Sequence, residues 1–431
     1  MLIEFAVSNF RSIKERQILS MKTSFSSDGL PENTFLPKIF SKSPNKKIHL
    51  LKSLAIYGPN ASGKSCLVDA LGHIRDFIIH SAVEMQRGQK IQWISPFKLD
   101  LKTAKSPSIF EITFIKKNNK GIEIKYEYGF SATKDQIIDE WLYEYKKTRS
   151  SRLFLRKYNK TTDKYKWTFG KKFTAKTISE RTANNILFLS KAAQENHQYL
   201  ISIFDWFRKT LCVIPSDRKD RFSMKEFVEN FDSLKPKILH MLNDADLGII
   251  DISFEKRNID QIKLPEYVKK EFVDKLREEF AHRLQSIHKI PKTNKHVVFD
   301  FMSEESDGTY SILNLAKHWI EATKNQKVII IDELEKSLHP KLVRSLIETF
   351  HHFSHGSQLI FTTHDVFQMD TSIFRRDQIL FTEKEFETQS TQLYKLSDIK
   401  GVRKEHVIDR RYMLGAFGAL PILGNFEIEK A

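Results

Sequence analysis

The segment LAIYGPNASGKSCLVDAL, from Leu54 to Leu71, constrains the fold more than any other stretch of the chain. At its centre Gly58-Pro59-Asn60-Ala61-Ser62-Gly63-Lys64-Ser65 satisfies G-x-x-x-x-G-K-[ST] at every fixed position. Small residues there let successive backbone N–H groups curl around a phosphate, the lysine reaches the outer phosphates, and the hydroxyl takes a Mg²⁺ ion. The context fits. Leu54 to Tyr57 is a short apolar run of strand type, and Cys66 to Leu71 has helical apolar spacing, so a helix N-terminus points at the anion. Gly58 through Cys66 are the first candidate nucleotide-binding residues. Cys66 is read first as a small core side chain, with a lowered thiol pKa beside the helix N-terminus as the other reading.

A second set lies far downstream. KVIIIDELEKSLHP predicts a buried strand, Val328 to Ile331, delivering Asp332 and Glu333 at its C-terminal end, where an open α/β sheet places its ligand chemistry. Asp332 is expected to hold Mg²⁺ through water, and Glu333 to orient and polarise an attacking water. SQLIFTTHD is another core strand, and it ends in His364, placed to contact a γ-phosphate. Upstream, Ser306-Asp307-Gly308-Thr309 opens a helix. Taken alone, this tetrapeptide is an ordinary N-cap.

Charge is the other strong signal. The 431 residues carry a formal +16, and the stretch from Glu144 to Lys176 holds twelve Lys and Arg against Glu144 and Asp163, a net of +10. Aromatic residues are interleaved (Tyr145, Phe154, Tyr158, Tyr165, Trp167, Phe169, Phe173). Such a surface suits nucleic acid or an acidic protein. A solvated β-hairpin with aromatics inward and lysines outward is the alternative. Two cysteines, Cys66 and Cys212, exclude a disulfide framework and a four-Cys zinc site. No apolar run of membrane-spanning length occurs, and the opening MLIEFAVSNFRSIKER does not read as a signal peptide, so a soluble cytoplasmic protein is expected.

The chain divides by pattern into four parts. Residues 1–100 carry the phosphate loop, and residues 101–176 alternate polar and apolar in short runs, an antiparallel β section ending in the basic hairpin. Residues 177–292 have apolar spacing of three and four in ENHQYLISIFDWFRKTL, MKEFVENFDSLKPKILHML and PEYVKKEFVDKLREEFAHRLQSI, which predicts a helical insertion or lid. Residues 293–431 resume the parallel-sheet core near residue 295.

The order GPNASGKS, SDGT, IIIDELEKSLHP, FTTHD, with the opening FAVSNFRSIKE and the ending YMLGAFGALPIL, resembles the ABC-type AAA ATPases of bacterial abortive-infection systems. These are relatives of the AbiL, PARIS and overcoming-lysogenization-defect ATPases. The resemblance implies an α/β fold, an ABC/SMC-type P-loop ATPase head with an antiparallel β section and a helical lid. It implies ATP and Mg²⁺ as cofactors, with Lys64, Glu333, His364 and Ser306 catalytic and Ser65 and Asp332 on the metal. Ser306, Asp307 and Gly308 would cap the γ-phosphate of ATP held by another subunit, so a homodimer or higher homo-oligomer is implied. Arg11, in Asn9-Phe10-Arg11, would approach the nucleotide, and Lys336-Ser337-Leu338-His339 would cross the dimer interface. Asp307 and Thr309 depart from the transporter signature, and Gln86, Gln89 and Gln92 are the candidates for a water-binding glutamine loop.

On this reading the chain is a Mg²⁺-dependent ATP hydrolase acting as the regulatory ATPase of an anti-phage system. It would control a co-encoded effector, a nuclease or toxin, since no second catalytic constellation occurs in the chain. The basic 146–176 segment is the candidate site for nucleic acid or an acidic phage protein. The alternatives are an SMC-like ATPase acting directly on DNA and a nucleotide-gated scaffold with little turnover. The absence of an N-K-x-D motif disfavours a GTPase.

Overall fold

The computed structural model describes residues 1–24, 29–41, 47–146, 149–171, 173, 175–216, 224–256, 281–403, 406–421 and 424. It divides into two units, one made of Met1–Pro215, Gln326–Leu334 and Ile347–Ala431, the other of Ser216–Asn325 and Glu335–Leu346.

The first unit begins with β1 (Leu2–Ser8) and β2 (Gln17–Ser20), then a two-stranded ribbon of β3 (Thr34–Phe35) and β4 (Leu50–Leu51) with α1 (Lys38–Ser41) between them in sequence. β5 (Ser53–Tyr57) leads through the phosphate loop into α2 (Lys64–Glu84). Five strands follow: β6 (Ser108–Lys117), β7 (Glu123–Ala132), β8 (Ile137–Tyr145), β9 (Ser150–Asn159) and β10 (Lys164–Phe169). Helices α3 (Lys176–Glu180), α4 (Phe188–Gln194) and α5 (Gln198–Lys209) lead into β11 (Leu211–Ile214). The chain leaves for the second unit and returns as β15 (Val328–Ile331), the end of α8 (Pro340–Phe353), β16 (Gln358–Thr362), β17 (Ile379–Lys384), β18 (Thr391–Lys395) and α9 (Ile408–Met413).

Two sheets result. One is antiparallel, in the order β10-β9-β8-β7-β6-β1-β2; the other runs β11-β15-β16-β5-β17-β18, parallel except for β18. Every residue of β5, β15 and β16 is buried, the pattern of strands covered on both faces. One core joins the sheets: Leu67, Leu71, Ile74 and Phe77 of α2 share it with Phe110, Tyr128, Phe130 and Phe154 of the antiparallel sheet and Leu54, Ile56, Ile330 and Ile360 of the parallel one. A 21-residue helix buried from both sides is a fixed post, and the phosphate loop is mounted at its N-terminus.

The antiparallel reading of residues 109–169 holds, and the hairpin at its edge corrects the view of its charge. Tyr165, Trp167 and Phe169 share a face with Tyr158, Arg156 and Phe154, and that face packs inward, with Trp167 and Phe169 against Phe188. Arg156 is fully buried, so it does not belong to the solvated basic surface. It lies 3.7 Å from Glu140, donates to the carbonyls of Ile186 and Ala183, and sits 4.1 Å from the centroid of Tyr165. Burial pushes the Glu140 carboxyl up, opposed by the guanidinium and by the N–H groups of Phe188 and Leu189.

The second unit contains α6 (Met224–Asp244), the antiparallel sheet β12 (Ile249–Lys256), β13 (His282–Lys289) and β14 (His296–Asp300), and α7 (Asp307–Lys324). The expected helices appear at Gln198–Lys209 and Met224–Asp244. The third helical reading extended into a strand: residues 265–280 lie outside the described residues, but His282–Lys289 is extended and pairs on both sides. Leu284 and Ser286, two apart, are its fully buried positions, so period two wins over the helical spacing once β12 and β14 supply hydrogen-bond partners. β14 likewise is antiparallel, and the parallel sheet takes up β11 before the second unit and resumes only at β15. Among the described residues no helix is long and apolar enough to cross a membrane.

Candidate functional site

Parallel pairing brings separated segments to one edge. Ile331 lies opposite Phe361, and Thr362 opposite Ile56, so the ends of β15, β16 and β5 stand side by side. They release Asp332, His364 and Gly58 at the same side of the sheet, as expected for an open α/β sheet. A cavity of about 350 Å³ opens there, lined by Pro59 to Cys66 together with Arg11, Ser12, Asp69, Glu333 and His364.

The loop is bent by three positive-φ residues, Gly58 (153°), Ala61 (61°) and Gly63 (109°). At Gly58 and Gly63 a Cβ would also collide with Thr382 and Thr391. Those two threonines clamp the loop from β17 and β18. Thr382 Oγ1 meets Ser62 Oγ at 2.7 Å, while Thr391 Oγ1 donates to the Ser62 carbonyl at 2.9 Å and lies 2.9 Å from Ser12 Oγ. Lys64 is nearly buried, and its Nζ donates to the carbonyls of Gly58 (2.7 Å) and Pro59 (3.1 Å), which holds the ammonium over the loop.

A hydrogen-bonded chain ties this loop to β15 and β16. Ser65 Oγ donates to Asp332 Oδ1 at 3.2 Å, and Thr362 Oγ1 donates to the same oxygen at 2.6 Å. Thr362 Oγ1 also accepts from the Glu333 N–H at 2.8 Å. Glu333 itself has φ 53°, a left-handed conformation uncommon for a side chain of its size. The result places the two acids differently: Asp332 is buried beneath Ser65, and Glu333 turns into the cavity. A hydroxyl and a carboxylate oxygen at hydrogen-bond distance form a hard-oxygen pair that fits Mg²⁺, and the curled loop ahead of a helix fits a phosphate chain.

Arg11 reaches the same cavity from the N-terminal segment. Its guanidinium forms an ion pair with Asp69 and lies 3.4 Å from His73 Nε2. Asn9 anchors this turn, donating to the carbonyls of Thr103 and Ser106 and accepting from the Phe97 N–H. Burial pushes the His73 imidazole down, and Arg11 pushes it the same way. Burial also pushes the Cys66 thiol up, which removes the lowered-pKa reading and leaves a core side chain touching the Phe10 carbonyl.

Ser306, Asp307 and Gly308 stand in the second unit, at the start of α7. Ser306 caps the helix, accepting from the Thr309 N–H at 3.1 Å. A Cβ at Gly308 would press on the Ser337 carbonyl at 2.7 Å, so a glycine is needed where the 336–339 turn crosses the helix start. Ser337 is another positive-φ residue, at 61°. The glutamine candidates fare differently. Gln86 and Gln89 lie just past the C-terminus of α2, roughly 30 Å along the helix from Lys64, where Asn185 pins their carbonyls; neither they nor Gln92 lines the cavity. Sequence reasoning missed Ser12, Thr362, Thr382 and Thr391. Only Thr362, inside FTTHD, had a local signal.

Solved structures similar to this chain include an SMC head bound to the C-terminal winged-helix domain of ScpA (14% identity, TM-score 0.41, covering 91% of this chain and 97% of that one). Others are the SMC head domain from Thermotoga maritima (13%, 0.35, 91% and 98%) and an SMC head with an extended coiled coil bound to the C-terminal domain of ScpA from Pyrococcus furiosus (13%, 0.42, 91% and 96%). No protein of curated function matches the sequence. The family described as "AAA domain, putative AbiEii toxin, Type IV TA system" matches residues 53–370, from β5 through the His364 strand, and the chain belongs to that family.

Proposed function

We propose that this protein is a Mg²⁺-dependent ATP hydrolase that serves as the regulatory ATPase of an abortive-infection system and controls a separate effector. The observation that supports the catalytic part is the hydrogen-bonded chain Ser65–Asp332–Thr362–Glu333, which ties two candidate metal ligands and a candidate water-orienting carboxylate to one phosphate loop. Mg²⁺ held by Ser65 and Asp332 would supply charge neutralisation to the phosphates. The protein's own residues do the positioning. The loop N–H groups and Lys64 hold the phosphates, Ser65 and Asp332 hold the metal site, and Glu333 aligns a water with the γ-phosphorus for in-line attack. His364 lines the same cavity, which supports a role in contacting the γ-phosphate. Ser306 and Gly308 of a second copy complete the site with the N-terminus of its α7.

The link to abortive infection rests on the family's description, which names a putative AbiEii toxin and a type IV toxin–antitoxin system, and the separate effector rests on the lack of another catalytic constellation in the sequence. The test separates the two parts. Phosphate release should fall at least ~10²-fold in Glu333→Gln, with ATP still bound, while Lys64→Ala should lose binding itself. Parental turnover in Glu333→Gln would defeat the catalytic assignment. Phage challenge of cells carrying this gene with its neighbours tests the regulatory reading: protection should vanish with Lys64→Ala, and survival unchanged by that substitution would refute it.

A further inference from the structure

Lys147 and Lys172 lie outside the described residues; of the other basic residues in the 144–176 segment, five on β9 and β10 divide between the two faces of the sheet, and the division defines a surface. Arg156 faces inward, where Glu140 and two carbonyls satisfy it. Arg152, Lys157, Lys164 and Lys166 face the other way: Lys157 pairs across with Lys166 and Asp139, Arg152 pairs with Tyr143, and Lys164 stands two residues from Lys166. The face continues across β8 and β7. Trp141, Tyr143 and Tyr145 alternate with the buried Glu140, Leu142 and Glu144, and Glu127 and Lys125 stand opposite Tyr143 and Tyr145.

These three rings are partly exposed and lie outside the packed core that takes in Phe154, Trp167 and Phe169. A Cβ at Gly129 would collide with the Trp141 indole, so the missing side chain on β7 lets that ring lie across the sheet. Lys125 Nζ sits 3.6 Å from the Tyr145 ring centroid, and the Tyr145 hydroxyl donates to Glu127, which fixes the margin of the row. On this face Lys125, Arg152, Lys157, Lys164 and Lys166 stand against Asp139 and Glu127, a net of +3.

We propose that this open sheet face binds single-stranded nucleic acid, stacking bases on Trp141 and Tyr143 and neutralising phosphates with the flanking lysines and Arg152. Same-face neighbours on a strand are about 6.7 Å apart, room for an unstacked base on each ring. A duplex hides its base faces and offers nothing to such a row, whereas every unpaired base has a face to give. An acidic protein would use the charges but leave the row of rings without a role. The inference stands apart from the ATPase reading, since none of these residues lines the nucleotide cavity.

The test uses the full-length protein and fluorescence anisotropy with labelled oligo(dT), oligo(U) and a duplex, each of about twenty nucleotides per strand. Both single strands should bind more tightly than the duplex, with affinity falling steeply as salt rises. Tyr143→Ala and Tyr143→Leu should each weaken binding by at least about fivefold, while melting temperature and ATP turnover stay parental. Lys157→Gln with Lys166→Gln should flatten the salt dependence. Failure to bind single strands, equal or tighter duplex binding, binding indifferent to Tyr143, or capture of poly-glutamate in place of oligonucleotides would overturn the proposal.

Discussion

Glu333 holds its place through a backbone conformation that a non-glycine residue adopts at a cost of order 1–3 kcal/mol, offset in part by the hydrogen bond from its N–H to Thr362 Oγ1. On the proposed mechanism, function and stability are therefore opposed at one residue. Glu333→Gly should raise the unfolding free energy by up to ~1 kcal/mol in a denaturant titration while abolishing turnover; lowered stability would show that the left-handed turn carries no strain. Thr391 makes the complementary case, a residue away from the reacting atoms that shapes the loop. Replacing it with isosteric Val removes the hydroxyl that bonds Ser62 O and Ser12. Nucleotide affinity should fall roughly fivefold, the worth of one buried hydrogen bond, and Thr391→Ser should retain the parental value in the same binding titration. Equal affinity in all three proteins would make the clamp irrelevant to binding. The difference in legibility between these residues is physical. Lys64, Ser65, Asp332 and Glu333 sit in short motifs whose pattern can be read locally, whereas Thr391 is placed by strand pairing 329 residues away from Ser62, and a lone threonine in a strand carries no local mark of it.

At the scale of elements, strands and helices announced themselves where one physical term dominated. β15 reads as a run of four apolar residues, and α5 and α6 as amphipathic spacing, because burial alone decides them. His282–Lys289 did not: its Leu and Ile spacing suits a helix until two neighbouring strands claim its backbone. The basic hairpin was half legible, since charge counts cannot say which face of a strand Arg156 occupies. Another feature hidden from sequence lies at the starts of β5 and β16. His351, near the end of α8, is buried with Nε2 at 2.6 Å from Ser53 Oγ, its carbonyl accepting from Lys52 Nζ. Desolvation, aided by Lys52, lowers its pKa to about 3. The folded protein thus keeps this imidazole neutral where the unfolded chain, with an ordinary value near 6.5, takes up a proton. Stability should be full above pH 6.5 and should fall as pH drops toward 3, by about 1.4 kcal/mol per pH unit from this group. His351→Gln should flatten the stability–pH curve by that slope between pH 4 and 6; parallel curves for the two proteins would refute the assignment.

Across the whole molecule, the family match spans both units: the phosphate loop, Asp332 and Glu333 stand in one, and Ser306 and Gly308 in the other. The order of the motifs was legible because each is a short constellation of fixed chemistry. The proposed second copy entered only through the resemblance, since a helix N-terminus looks the same whether it caps its own loop or meets a phosphate. A composite site shared by two copies makes a demand that no single-copy enzyme meets. Lys64→Ala and Ser306→Arg should each be inactive alone, one for want of a phosphate grip and the other for a blocked capping helix. Mixed together, they form heterodimers with one intact site, in which the loop of the Ser306 variant faces the unaltered α7 of the Lys64 variant. The decisive measurement is the ATP turnover of that mixture. Recovery to about a quarter of the parental rate is the expected result for random pairing of symmetric dimers; a mixture as inactive as its components would contradict the shared site.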